Sequence, residues 1–318
     1  MPSRYAARPP SLRSRMLEFW LRASGRKQRD HRLRQRIARG WQPAHARPPL
    51  QLYLRHRIER REVMGSTVWT LAPAGATGPL HILFLHGGAY VNGLIGKYWR
   101  FLAQLVDALD CTVVVPEYPL APAHHAPELH ELVLTLYREM GAATGGRGLV
   151  VMGASSGAGI ALALAQRLRA LGIPEPAHLV LISPWLDATL RHPEVVAANR
   201  LDPLLDLQGL RDAGRLYAGD RSPEDPLVSP LFGSLQGLPP VTVLTGTHDL
   251  LLADARRFRD LARDAGLNVD YHEFPGMVHE WTLLRLPEAR TARALLVQAL
   301  ARVSRRAGDA GSGATDSL

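Results

Sequence analysis

The chain has 318 residues, with 38 Lys+Arg against 29 Asp+Glu for a net charge of +9, and 46% of its residues are hydrophobic. This is the composition of a globular protein with one large domain, or a core with a small appendage, and it excludes disorder over most of the length. The single cysteine, Cys111, excludes an intrachain disulfide, and no CxxC or HExxH pattern offers a metal site. No uncharged apolar run approaches the roughly 18 residues of a membrane span, and the N-terminus lacks a signal-peptide core, which together favour a soluble, cytoplasmic protein.

The charge is uneven. Residues 1–61 hold 17 basic and 3 acidic side chains, a net of +14, so the rest of the chain carries −5. Arginine accounts for 36 of the 38 cations, Lys27 and Lys97 being the others. Such a bias together with abundant alanine reflects a GC-rich genome better than a phosphate-binding role, and no nucleic-acid partner is expected. Within residues 11–40, Leu12, Met16, Phe19 and Trp20, then Leu33, Ile37 and Trp41, recur at helical spacing opposite an arginine-rich face. The favoured reading is a helix pair packed on the main body. A lid over an active site and an interfacial helix in weak contact with acidic lipid are the sharper ones.

Beyond residue 60 the rhythm changes. Short β-rich runs stand at Glu62–Trp69, His81–His86, Thr112–Tyr118, Leu149–Gly153, Ala177–Ser183, Val241–Gly246 and Asn268–Phe274. Most are continuous Val/Ile/Leu runs, as strands buried on both faces require. Helical stretches at Tyr98–Leu109, Pro127–Met140, Ser156–Leu171 and Ala253–Ala265 separate several of them. The alternation predicts an α/β fold, a mostly parallel sheet with helices on both faces. Residues 187–238 interrupt it with Pro-rich turns and one helix, Leu205–Tyr217, and read as an insertion. The ends of the chain, including residues 306–318, read as loose tails.

The strongest local signal is Gly153-Ala154-Ser155-Ser156-Gly157, between an apolar strand and a helix-forming run. A serine on such a turn is lifted above the sheet at the positive end of a helix dipole, the context of a nucleophile elbow. His86-Gly87-Gly88-Ala89-Tyr90 follows another strand. Paired glycines there can aim N–H groups into a cavity, so Gly87 and Gly88, with the N–H of Ser156, are candidate oxyanion donors. A base and an acid should follow the serine in the order acid, then histidine. His279 is the last histidine and comes just after a strand. Asp249, after the strand Val241–Leu244, is the preferred acid; Asp187 is the runner-up, and Asp254 reads as a cap or surface residue. Tyr90, Trp20 and Trp185 are candidate pocket walls. No metal and no cofactor is implied.

Taken in order, HGGAY (86–90), EYPLAPAHHAP (117–127), GASSG (153–157), SPWLDAT (183–189), DPLVSPLFG (225–233), LPPVTVLTGTHDLLLADARRF (238–258) and GMVHEW (276–281) resemble the hormone-sensitive-lipase-like α/β-hydrolases, often called family IV esterases. The resemblance implies an eight-stranded hydrolase core over 61–305, with a helical cap built from residues 1–60 and the 187–238 insertion. It also implies a serine carboxylesterase without cofactors, acting on short- to medium-chain acyl esters through Ser155, Asp249 and His279, with Gly87 and Gly88 as oxyanion donors. A homodimer through the edge strand near Tyr271 follows from the resemblance alone. The same triad would serve a lactonase, amidase or acyltransferase, and a non-catalytic ligand-binding member is the further alternative. Two departures stand out: Ala154 where the family carries an acid, and Ala89 where it carries a third glycine.

Overall fold

The structure, a computed structural model, describes residues 9–25, 27, 32–39 and 44–312. Trp41 and the extreme ends of the expected tails therefore lie outside the described residues. An eight-stranded sheet forms the centre, in the order β1-β2-β4-β3-β5-β6-β7-β8. Its strands are β1 (His56–Val63), β2 (Ser66–Pro73), β3 (His81–Leu85), β4 (Thr112–Pro116), β5 (Leu149–Ala154), β6 (His178–Ile182), β7 (Val241–His248) and β8 (Val269–Val278). β2 runs antiparallel to β1 and β4, and the other neighbours are parallel. β5 is buried along its whole length because helices cover both of its faces, which is why it reads as an unbroken apolar run.

Helices α1 (Leu12–Ala23), α2 (Leu33–Ala38) and α3 (Leu50–Tyr53) precede the sheet. α4 (Gly96–Leu109), α5 (Ala126–Thr144) and α6 (Ser156–Ala170) cross over between parallel strands. α7 (Pro193–Leu201) and α8 (Leu207–Ala218) form the insertion after β6, and α9 (Leu252–Asp264) and α10 (Pro287–Ser312) complete the chain. Side chains of α5, α6 and α9 fill one apolar cluster, and those of α4 and α10 fill the other, on opposite faces of the sheet. Among the described residues no helix is long and apolar enough to cross a membrane.

Three expectations need correction. The run Glu62–Trp69 is not one strand but the end of a hairpin: Met64 and Gly65 sit at φ 50° and 76°, the left-handed pair of a two-residue turn matched to strand twist. Because β1 starts at His56, the sheet reaches into the segment assigned to the cap. The insertion holds two helices rather than one, since Pro193 can open a helix while Asp202-Pro203 closes it, and the Asp206 carboxylate then caps α8 by accepting the Gly209 N–H at 2.9 Å. Finally, α10 runs to Ser312, so no loose tail begins at 306.

The N-terminal helices and the insertion after β6 are fastened to each other. Arg22 donates to the Leu201 carbonyl at 2.6 Å, and Lys27 donates to the carbonyls of Asn199 and Asp202 at the end of α7. Leu33 of α2 and Leu210 of α8 belong to the same buried cluster. The two sequence-distant pieces thus close over the C-terminal ends of β3, β5 and β7.

Candidate active site

Ser155 is the link between β5 and α6, with φ 54° and ψ −121°. That conformation is strained for a residue with a side chain, and it survives because the neighbours over-determine it. The Ser155 N–H donates to Ile182 O at 2.8 Å, and its carbonyl accepts from Trp185 at 3.1 Å. The flanking glycines are required by space. A Cβ on Gly153 would stand 2.1 Å from Gly157 O, and one on Gly157 would stand 2.0 Å from Leu85 O. The G-x-S-x-G spacing is therefore the sequence signature of a helix start pressed against two strands.

His279 follows β8, and its Nε2 lies 2.9 Å from Ser155 Oγ. Its Nδ1 lies 2.9 Å from Asp249 Oδ2, in the loop after β7. Asp249 is wholly buried and also accepts the Leu251 N–H at 3.0 Å, so its carboxylate is fixed before the histidine meets it. Burial opposes protonation of His279, but the Asp249, Glu280 and Asp202 carboxylates outweigh it and raise the imidazole to about 9. Ser155, Asp249 and His279 are thus brought together as the sequence leads one to expect. His248 and His272, the other histidines of this region, stand at Glu18 and Asp270 instead.

The other two acids serve the scaffold. Asp187 faces Arg257 at 2.9 Å and Thr189, away from His279. Asp254, read from sequence as a cap or surface residue, is buried and accepts the backbone N–H groups of Leu186 and Asp187 at 2.9 Å each. It pins the loop after β6. Burial, reinforced by Asp187, pushes its carboxyl up to about 7.

The glycine loop departs from expectation at one position. The Gly87 N–H is already used, donating to the Tyr98 hydroxyl at 2.8 Å. A Cβ on Gly87 would stand 2.3 Å from the Glu280 carboxylate and 2.5 Å from that hydroxyl, so the residue is wedged against a polar pair rather than open to a ligand. Gly88 and Ala89 instead line a cavity of about 160 Å³ together with Ser155 and His279. Gly88 is at φ 140°, and Ala89 and Tyr90 follow at φ 54° and 62°. Beneath the loop, His86 stacks on Tyr118 at 4.2 Å, and burial lowers its imidazole to about 3, so it stays neutral.

A second cavity, of about 460 Å³, is also lined by His279 and Glu280, with Trp20, Leu204 and Leu283. Of the three expected wall residues, only Trp20 reaches it. Tyr90 and Trp185 are core residues: Tyr90 stacks on Tyr217 at 3.7 Å, and the Trp185 indole N–H donates to Asp187 O at 2.9 Å. Aromatic size sends them inward, because α8 supplies a flat partner for Tyr90.

Comparison with known proteins agrees with this architecture. The sequence pattern described as the alpha/beta hydrolase fold matches residues 82–283. The chain belongs to the α/β-hydrolase fold family. An "Esterase" of Acinetobacter venetianus is 33% identical over 70% of this chain and 74% of its own length. An "Acetyl-hydrolase" of Streptomyces hygroscopicus is 35% identical over 66% of this chain and 72% of its own. A solved esterase of the bacterial hormone-sensitive lipase family superposes with a TM-score of 0.75 at 27% identity, over 94% of this chain and 98% of that one.

For an α/β-hydrolase of the hormone-sensitive-lipase-like kind, the two departures noted in the sequence have simple structural readings. Ala154 packs into the apolar cluster of the α4–α10 face with Met152 and Ile182, so no polar group is needed beneath the elbow. Ala89 holds the left-handed turn without its glycine. Three site residues escaped the sequence reading: Tyr98, Glu280 and Asp202. The Asp202 carboxylate accepts the Leu250 N–H at 2.8 Å, and burial, with Asp249 nearby, raises it to about 6. Only Glu280 had a signal available, as an acid placed directly after the candidate base.

Proposed function

We propose that the protein is a serine carboxylester hydrolase. The observation that carries this is the unbroken relay from Asp249 through His279 to Ser155, with both links at 2.9 Å, on an elbow beside a small cavity. Esterase and acetyl-hydrolase relatives support the same reading.

In this mechanism His279 Nε2 takes the proton as Ser155 Oγ bonds to the ester carbonyl carbon. Asp249 holds the ring by its Nδ1–H and stabilises the imidazolium. The backbone N–H groups of Gly88, Ala89 and Ser156 stabilise the negative oxygen of the tetrahedral intermediate, the last at the start of α6. Each such donor contributes roughly 3–4 kcal/mol. The intermediate collapses with proton transfer from His279 to the leaving alcohol. Water, giving its proton to His279, then cleaves the acyl-enzyme to the free acid. A short acyl group fits the 160 Å³ cavity, and the 460 Å³ cavity, walled by apolar side chains and Trp20, accommodates the longer part of the ester.

The test is hydrolysis of p-nitrophenyl esters from acetyl to palmitoyl by wild type and Ser155→Ala. Turnover of short chains that falls to background in the variant is the expected result. A fluorophosphonate that fails to label Ser155, in a protein inactive on every chain length, would overturn the proposal.

A further inference from the structure

Helix α1 is built with two working faces. Its inner face holds the body: Leu21 and Ser14 are buried, and Ser11 N–H and Ser14 Oγ donate to Glu288 of α10 at 2.6 and 2.8 Å. Its outer face has no reason to be apolar if it meets only water. Yet Leu12, Met16, Phe19 and Trp20 stand there 70%, 54%, 69% and 67% exposed, with the Phe19 and Trp20 rings edge to face at 6.4 Å. At 3.6 residues per turn these four fall within an arc of about 100°. Arg13 borders the arc on one side, and Arg15 borders it on the other. Four large apolar side chains in one contiguous patch mark a surface made for contact rather than for solvent.

We propose that this outer face of α1 docks the protein on the surface of an anionic phospholipid bilayer. The apolar arc would lie at the acyl-chain boundary, with Trp20 at interfacial depth, and the flanking arginines would meet lipid phosphates. The charge distribution selects this occupant: residues 1–61 carry +14 while the remainder of the chain carries −5. A second copy of the chain fits less well, because pairing through α1 would bring two arginine borders together. The arrangement also extends the esterase reading, on which this clause rests: Trp20 lies at the edge of the arc and lines the 460 Å³ cavity that reaches His279. An ester dissolved in the bilayer would thus enter beside the docked helix.

The experiment is flotation of full-length Ser155→Ala protein with vesicles of phosphatidylcholine, with and without phosphatidylglycerol. It reads binding alone, so failure of the esterase reading would leave it intact. Expected are flotation with the anionic vesicles at low salt, loss above about 0.3 M salt as screening shortens, and at least ten-fold weaker flotation of Leu12→Ser/Met16→Ser/Phe19→Ser. A blue shift of emission on anionic vesicles that is lost in Trp20→Phe is also expected. Because all three replaced side chains are exposed, the triple variant should keep wild-type circular dichroism and, with Ser155 restored, wild-type turnover of a soluble short-chain ester. Absence of flotation at low salt, or equal flotation of the triple variant, overturns the proposal. So does a dimer in solution that the triple variant dissolves, which would make the face a contact between copies.

Discussion

Tyr98 and Glu280, 182 positions apart, share a hydrogen bond that ties the glycine loop to the histidine loop. The Tyr98 hydroxyl accepts from Gly87 N–H and donates to the Glu280 carboxylate; the tyrosine is buried, and the glutamate is half-buried at the edge of both cavities. The bond therefore sets the distance between the donors proposed for the oxyanion and the base proposed for Ser155. Tyr98→Phe leaves the buried Gly87 N–H without its partner, costing about 1–3 kcal/mol, and releases a half-buried carboxylate that water can reach. Urea unfolding should show a loss of about 1–3 kcal/mol, and steady-state kinetics should show kcat falling more than KM rises. Wild-type values for both would mean that the two loops are positioned independently.

Activity should rise with pH. His279 must be neutral to accept the Ser155 proton, and the acids facing it, Asp249, Glu280 and Asp202, hold it protonated to about 9, with the Lys97 ammonium and the Tyr98 phenol on α4 as the neighbouring groups. kcat/KM for a neutral ester should climb through pH 7–9, and Glu280→Gln should move that limb to lower pH. A profile already flat from pH 6 would contradict this account.

Stability should run the other way. Asp202, Asp254 and His279 all bind protons more tightly folded than unfolded, at about 6, 7 and 9 respectively. With more protons on the native state, the slope of unfolding free energy against pH is negative. The histidine contribution is complete below its unfolded value of roughly 6.5 and is lost as pH rises through about 9. The two carboxyls contribute a loss that starts near pH 4. Thermal melts between pH 5 and 9 should show a falling Tm while kcat/KM climbs.

The two aspartates weighed for the acid role are separable by one pair of variants. Asp249→Asn should lower kcat by about 10³–10⁴-fold by disturbing the ring tautomer. Asp187→Asn leaves the relay in place and should keep kcat within about ten-fold. Its cost is stability, about 1–3 kcal/mol, less than for a fully buried pair because Arg257 reaches solvent. Equal losses of kcat in the two variants would reopen the assignment.

Ala89 contributes backbone rather than side chain. Its left-handed φ of 54° costs an alanine about 1–2 kcal/mol, part of which glycine returns in unfolded-chain entropy. Ala89→Gly should therefore be neutral to mildly stabilising in a thermal melt and should retain kcat. A ten-fold loss of activity would show that the methyl group itself shapes the cavity.

Ser155, His279 and Asp249 were legible in the sequence because their signals are local. A serine between a buried strand and a helix start, an acid after the next strand but one, and a histidine after the last strand each follow from short-range backbone geometry and chain order. The apolar strands and crossover helices were legible for the same reason, since burial on both faces leaves unbroken Val/Ile/Leu runs. The Met64–Gly65 turn was missed because left-handed backbone leaves only one glycine as its mark. Tertiary structure alone decided the partners. Gly87 lost its N–H to Tyr98, Asp202 of the insertion came to hold the Asp249 loop, and Tyr90 packed away from the pocket on Tyr217. Each of these contacts joins residues that no local periodicity relates, and each is settled by which buried polar group or flat ring has a partner within reach once the layers pack.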